Sequence, residues 1–175
     1  MVPRQFFSQT VRAAFCAGGF AMALAQQTPG PVTGTQTRIE DTQIIDGRKA
    51  PDQIPDSTAW WLLFQVLADR PGGLSYDQRI ALLADLDLLE WQKSRLIPAA
   101  NRAIARVSEM EKEARRMFSP TQQEDMTVYL RNNRDRIVTE VVSVLKAEVT
   151  QEGADKLQQY LREKVKRSIR MAPLP

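Results

Sequence analysis

The chain has 175 residues with 24 basic and 21 acidic side chains, no histidine and a single cysteine, Cys16. Without histidine neither Ser-His nor Cys-His catalysis can be assembled, and zinc sites of the usual nitrogen and sulfur kind are closed off. No phosphate-cradling glycine loop and no dinucleotide fingerprint is present, so no cofactor and no metal is expected.

Arg4 and Arg12 precede a run of small apolar residues from Ala13 to Leu24, followed by Ala23-Leu24-Ala25. A basic start, a short apolar stretch and a small-x-small site form a secretory signal. The run is shorter than the roughly 20 residues a bilayer-spanning helix needs. Residues 1–25 are therefore expected to be removed after Ala25, taking Cys16 with them. The exported protein, periplasmic or extracellular, would then have no disulfide. Loss of the two arginines lowers the formal charge from +3 to +1. The remainder is uneven: residues 26–92 hold 5 basic and 10 acidic side chains, residues 93–175 hold 17 and 11. Such asymmetry arises from complementarity between packed helices or from a basic surface for an anionic partner.

Residues 26–53 are rich in Thr, Gln, Pro and Gly and lack a helical period, which predicts a flexible linker. Within it, Ile44-Ile45-Asp46-Gly47 is suited to dock as a short extended piece with a turn at Asp46-Gly47. A helical domain then spans 54–175. Its first helix is predicted over 56–70, with Asp56 or Ser57 as N-cap. From Ala59 to Ala68 only Gln65 is polar, the mark of a helix covered on most sides. Trp60 and Trp61 point to different sides of it and read as core.

Pro71-Gly72-Gly73 ends that helix, and Ser75 with Gln78 forms a capping box for the next. A ladder follows through Leu82, Leu86, Leu89, Leu96, Ala100, Ala103, Val107, Met110, Ala114 and Met117. From Leu96 its steps alternate four and three, a heptad seam open to filling within the chain or by a second copy. Pro98 is expected to kink or split this stretch near Ser94 to Ile97, giving helices 75–97 and 99–117, with a continuous helix bent at Pro98 left open. Ser119-Pro120-Thr121-Gln122 repeats the start signal, predicting a helix over 120–148 with Met126, Leu130, Ile137, Val141, Val144 and Leu145 on one face. Thr150 caps a last helix over 151–170, with Gly153 where a capping box has Glu or Gln. This helix lines up Ala154, Leu157, Leu161, Val165 and either Ile169 or Ser168. The prediction is an all-α fold of four to five helices in hairpins or a bundle.

The candidate site residues lie at the end of that last helix: Arg162, Lys164, Lys166, Arg167 and Arg170. Cations there either balance the negative helix terminus or form a contact surface for a polyanion or an anionic membrane. Carboxylate pairs on one helical face occur at Asp87 and Glu90, and at Glu109 and Glu113. Such pairs usually serve solubility rather than catalysis.

Three helix starts, Leu74-Ser75-x-x-Gln78, Phe118-Ser119-Pro120-x-Gln122 and Val149-Thr150-x-x-Gly153, resemble the leucine-threonine-x-x-glutamine motif of small helical periplasmic proteins. That family acts as ATP-independent chaperones and envelope-stress sensors. No copy matches in full, and the helix at 56–70 has no place in the family's hairpin. From Ile54 to Val165-Lys166 the chain is also similar to secreted bacterial proteins of unknown function, a likeness that implies no activity. The expectation is a non-enzymatic binding or scaffold protein of the cell envelope with a protein partner, chaperone-like in its sharper form. Self-association through the heptad seam is an added expectation. No specific nucleic acid is expected, and membrane contact is allowed but not favoured. The alternatives are the anionic-membrane or polyanion binder and a carboxylate-dependent hydrolase.

Overall fold

A computed structural model describes residues 44–171; the predicted signal peptide with Cys16, and linker residues 26–43, lie outside them. The described chain is all-α. Its helices are α1 (Asp56–Leu67), α2 (Tyr76–Ala84), α3 (Glu90–Met117), α4 (Gln123–Glu148) and α5 (Gln151–Tyr160). α5 runs on into a π-helical turn, Leu161–Lys166. Two short strands, β1 (Ile45–Asp46) and β2 (Arg170–Met171), pair antiparallel.

α1 is the centre of the packing. Ala59, Trp60, Leu63, Phe64 and Leu67 are buried, and Trp61, Leu62 and Val66 pack against the core from its flanks. α3, α4 and the π turn all pack on it. Trp60 rests against Phe64, with ring centroids 5.5 Å apart. The helix starts after Pro55 without a side-chain cap, so neither Asp56 nor Ser57 is its N-cap. It stops at Leu67, three residues before the predicted end. Ala68 is extended, and the Asp69 N–H donates to Asn101 Oδ1 on α3 at 2.8 Å. Arg70-Pro71-Gly72-Gly73 then closes a turn in which the Gly73 N–H reaches the Arg70 carbonyl. Gly72 holds φ +75 in it, which a side chain would oppose.

The capping box of α2 forms as predicted: the Gln78 N–H donates to Ser75 Oγ, and Gln78 Oε1 accepts from the Ser75 N–H. The split at Pro98 does not occur. α3 runs unbroken through it, and the break falls at Asp85–Leu89 instead. Pro98 is exposed, so water can reach the Ser94 carbonyl that its missing N–H leaves without a partner. At the real break, Leu86 turns into the core at 2% exposure. Gln92 reaches back to accept from the Leu89 N–H at 3.1 Å, which caps the new start. The predicted start of α4 is also displaced. Ser119 to Gln122 make a turn of their own, with Gln122 Oε1 accepting from the Ser119 N–H, and the helix begins at Gln123.

α3 and α4 form a long antiparallel hairpin. With 28 and 26 residues at ~1.5 Å each, they are roughly 42 and 39 Å long. The inner half of the hairpin, Leu96 to Ala103 and Val138 to Leu145, belongs to the main core with α1. Farther out, Val107, Met110 and Ile137 form a small cluster of their own, against which Trp61, Tyr129 and Leu130 pack. The hairpin thus ends in a two-helix arm. The heptad seam from Leu96 to Ala114 is buried within the chain, and only Met117 at its end is half exposed. It therefore offers no open stripe to a second copy. On α4, Ile137, Val141 and Leu145 of the predicted face are buried, as are Val138 and Val142 beside it, but Val144 is 45% exposed.

α5 is capped as expected, the Gly153 N–H donating to Thr150 Oγ1 at 3.1 Å. The departure from the capping box has a tertiary cause. Gln92 of α3, itself buried, donates through Nε2 to Thr150 Oγ1 at 2.8 Å. A Cβ on residue 153 would lie 2.5 Å from that Nε2, so Gly153 leaves room for a partner from another helix. The predicted regular helix to residue 170 gives way to the π turn at Leu161. That wider turn brings Val165 and Lys166, adjacent in sequence, to the inner side together. The chain then closes on itself. The Gly47 N–H donates to the Ile169 carbonyl at 2.9 Å, and a Cβ on Gly47 would collide with the Lys166 carbonyl. Residues 44–53, predicted as part of the flexible linker, are thus folded onto the C-terminal segment, as the Ile44-to-Gly47 docking expectation had it.

Candidate functional site

Of the five predicted cations four are exposed and one, Lys166, is buried. Lys166, on the inner side of the π turn with 8% of its side chain exposed, pairs with Asp56 at 2.6 Å. Arg162 reaches Asp52 at 3.2 Å and Arg170 reaches Asp46 at 3.5 Å, both in exposed positions. Arg170 is on β2, not on a helix. Lys164 and Arg167 are exposed and have no acid within ion-pair distance among the described residues. Partial burial tends to raise the Asp56 carboxyl, but Lys166 and the Gln158 amide outweigh it and hold it below its ordinary range. Lys156 likewise bridges Asp87 and Glu152, which raise its pKa. Five acids of the first half, Asp46, Asp52, Asp56, Asp87 and Glu90, are therefore matched to cations of the second, Glu90 to the nearby Lys93. Much of the charge asymmetry is internal complementarity.

The carboxylate pairs also separate. Asp87 precedes α3, so it shares no helical face with Glu90, which pairs with Lys93. Glu109 and Glu113 do share a face, and the structure places them at a cavity. It has a volume of about 250 Å³ and lies open on the side of the arm. Its floor is Met110, Tyr129 and Ile137. Its rim is Arg106, Glu109 and Glu113 from α3 and Asn133 and Arg136 from α4.

The rim is polarised. At the inner end Glu140 accepts from Arg106 at 2.6 Å and meets Arg136 at 3.7 Å. The Arg106 hydrogen bond is the main reason its carboxyl titrates below the usual range. At the outer end Glu109 and Glu113 stand one turn apart, with no cation in ion-pair distance of either among the described residues. Like charges at this spacing oppose each other along a helix. Both come from one helix, whereas glycoside hydrolysis needs two carboxyls facing across the bond to be cut. Among the described residues no group of three His, Cys, Asp or Glu side chains could hold a metal ion.

Sequence reasoning noted Glu109 and Glu113 but not the cavity, because α4 supplies half of it. The available signal was the pair itself, two acids at four-residue spacing with Arg106 one turn before them. No family model, curated protein or solved structure matches the chain. Among the described residues no helix is long and apolar enough to cross a membrane.

Proposed function

We propose that this is a non-enzymatic binding or scaffold protein of the cell envelope, and that the side of the α3–α4 arm is its protein-docking surface. The observation that carries this reading is the open depression on the arm, with Met110, Tyr129 and Ile137 below and five polar or charged side chains around them. Five of the eight lining side chains are polar or charged and Met110 and Ile137 are nearly buried, so the depression suits a partner of complementary charge. The charged rim favours a selective partner over the broad apolar face that a client-holding chaperone would present. Met117 and Val128, half exposed near the tip of the hairpin, extend the apolar surface of the arm.

The test is a photo-reactive residue in place of Asn133, irradiated in envelope extract. A discrete protein adduct that Glu113→Arg removes supports the reading. A wild-type arm that forms no adduct, or forms the same adducts after charge reversal, refutes it.

A further inference from the structure

The charge arrangement of the arm is that of a self-complementary surface, and we infer that the arm docks against the arm of a second copy of this chain, antiparallel, about a twofold axis through the cavity. This rests on reading the arm as the docking surface. Glu113 lies two turns from Arg106 along α3, roughly 10 Å at ~1.5 Å per residue. Arg136 joins Arg106 at the inner end through their shared partner Glu140. A twofold axis perpendicular to the arm, passing between these ends, sets Glu113 of each copy against Arg106 and Arg136 of the other. Such an isologous contact requires one patch that carries both signs at separated places, and this patch does. It also gives Glu109 and Glu113 the opposite charge they lack within the chain.

The apolar pattern fits the same partner. A two-helix hairpin covers one stripe of each helix and leaves the sides of both open. Two hairpins packed side by side form a four-helix bundle in which those sides meet. Here Tyr129 is the half-buried side chain at that meeting, while Met110 and Ile137, 8% and 4% exposed, stay packed within their own hairpin beneath it. A face two helices wide and about four turns long is roughly 20 by 20 Å. That is about 800 Å² in total, below the range of stable protein interfaces and in that of transient ones, so the dimer is expected to dissociate at about 100 μM, the upper end of the micromolar range.

Analytical ultracentrifugation of the chain from Gln26, which contains all of the described fold, tests this from about 1 to 100 μM. The wild type should dimerise at low salt and dissociate progressively as salt screens the crossed pairs. Glu113→Arg and Arg136→Glu should each weaken association by about tenfold or more. An equimolar mixture of the two variants should restore it, since each then supplies the charge the other needs. Circular dichroism and melting of each variant, diluted to monomer, establish that both remain folded. A wild type that stays monomeric at the highest concentration overturns the inference, as does a dimer indifferent to both reversals or a mixture that fails to associate. Photo-crosslinking from Asn133 separates the two ideas. A monomer crosslinked to a different envelope protein ends the self-association and leaves the arm as a docking surface. A monomer that forms no adduct ends both.

Discussion

Gly153→Ala should destabilise the protein even though the substitution normally favours a helix. Replacing glycine by alanine inside a helix gains up to ~1 kcal/mol. Here the new methyl would fall 2.5 Å from Gln92 Nε2 and 3.0 Å from its Cδ. Gln92 is 3% exposed and cannot swing aside into solvent. It would have to give up two hydrogen bonds, one from Nε2 to Thr150 Oγ1 and one accepted from the Leu89 N–H. Each is worth about 1 kcal/mol, and a buried amide left without partners costs about 1–3 kcal/mol more. The net expectation is a loss of ~1–3 kcal/mol. Gln92→Ala alone should cost about 2 kcal/mol through the same bonds and a small void. In the Gln92→Ala background the obstruction is gone, so Gly153→Ala should become neutral or stabilising by up to ~1 kcal/mol. The sign reversal is the diagnostic, a coupling of about 2–3 kcal/mol in a double-mutant cycle. Urea unfolding of the four proteins reads it directly. Stabilisation by Gly153→Ala in the wild type, or additive effects, would refute the claim that Gln92 reserves this space.

Pro98→Ala should stabilise by about 1–3 kcal/mol, because α3 continues through the proline and regains a backbone bond to Ser94; an unchanged or lower melting temperature would show that the proline suits the helix. The two adjacent cations of the π turn should differ. Lys166→Glu sets a second carboxylate against Asp56 from a buried position and should cost ~2–4 kcal/mol, whereas exposed Arg167→Glu should stay within ~0.5 kcal/mol; equal melting losses would contradict the pairing. The depressed carboxyl of Asp56 contributes stability that is full above its ordinary value of 3.8 and is lost as pH falls through its lower native value. Acid titration of stability should therefore show a loss below about pH 4 that Asp56→Asn reduces. Gly47→Ala should force the chain away from the Lys166 carbonyl and separate β1 from β2, raising amide exchange at position 47 and across residues 169–171; protection equal to wild type would sink that account.

The amino-acid sequence alone determined whatever depends on near neighbours. Ser75 and Gln78 cap α2, and Thr150 caps α5, because a capping contact spans only three residues. The apolar stripe of Ala154, Leu157, Leu161 and Val165 reached the core, since its spacing already defines a helical face, while the structure chose Ile169 over Ser168 to continue it. The near-continuous apolar run of α1 marked the element that the others surround. Tertiary structure decided the points at which local rules compete with packing. Pro98 has a strong local tendency to break a helix, but the packing of Leu96, Ala99, Ala100 and Ala103 against the core holds α3 together through it. Burial of Leu86 and the reach of Gln92 moved the break to residues without a breaking signal. Gly153 looked like a defect in a capping motif until Gln92, 61 residues earlier, filled its space. Five similar cations at the end of one segment proved to be different objects, because the π turn buries Lys166 against Asp56 and leaves Arg167 in solvent. The arm cavity belongs to two helices running in opposite directions, and the register between them follows from packing that periodicity along either helix does not contain.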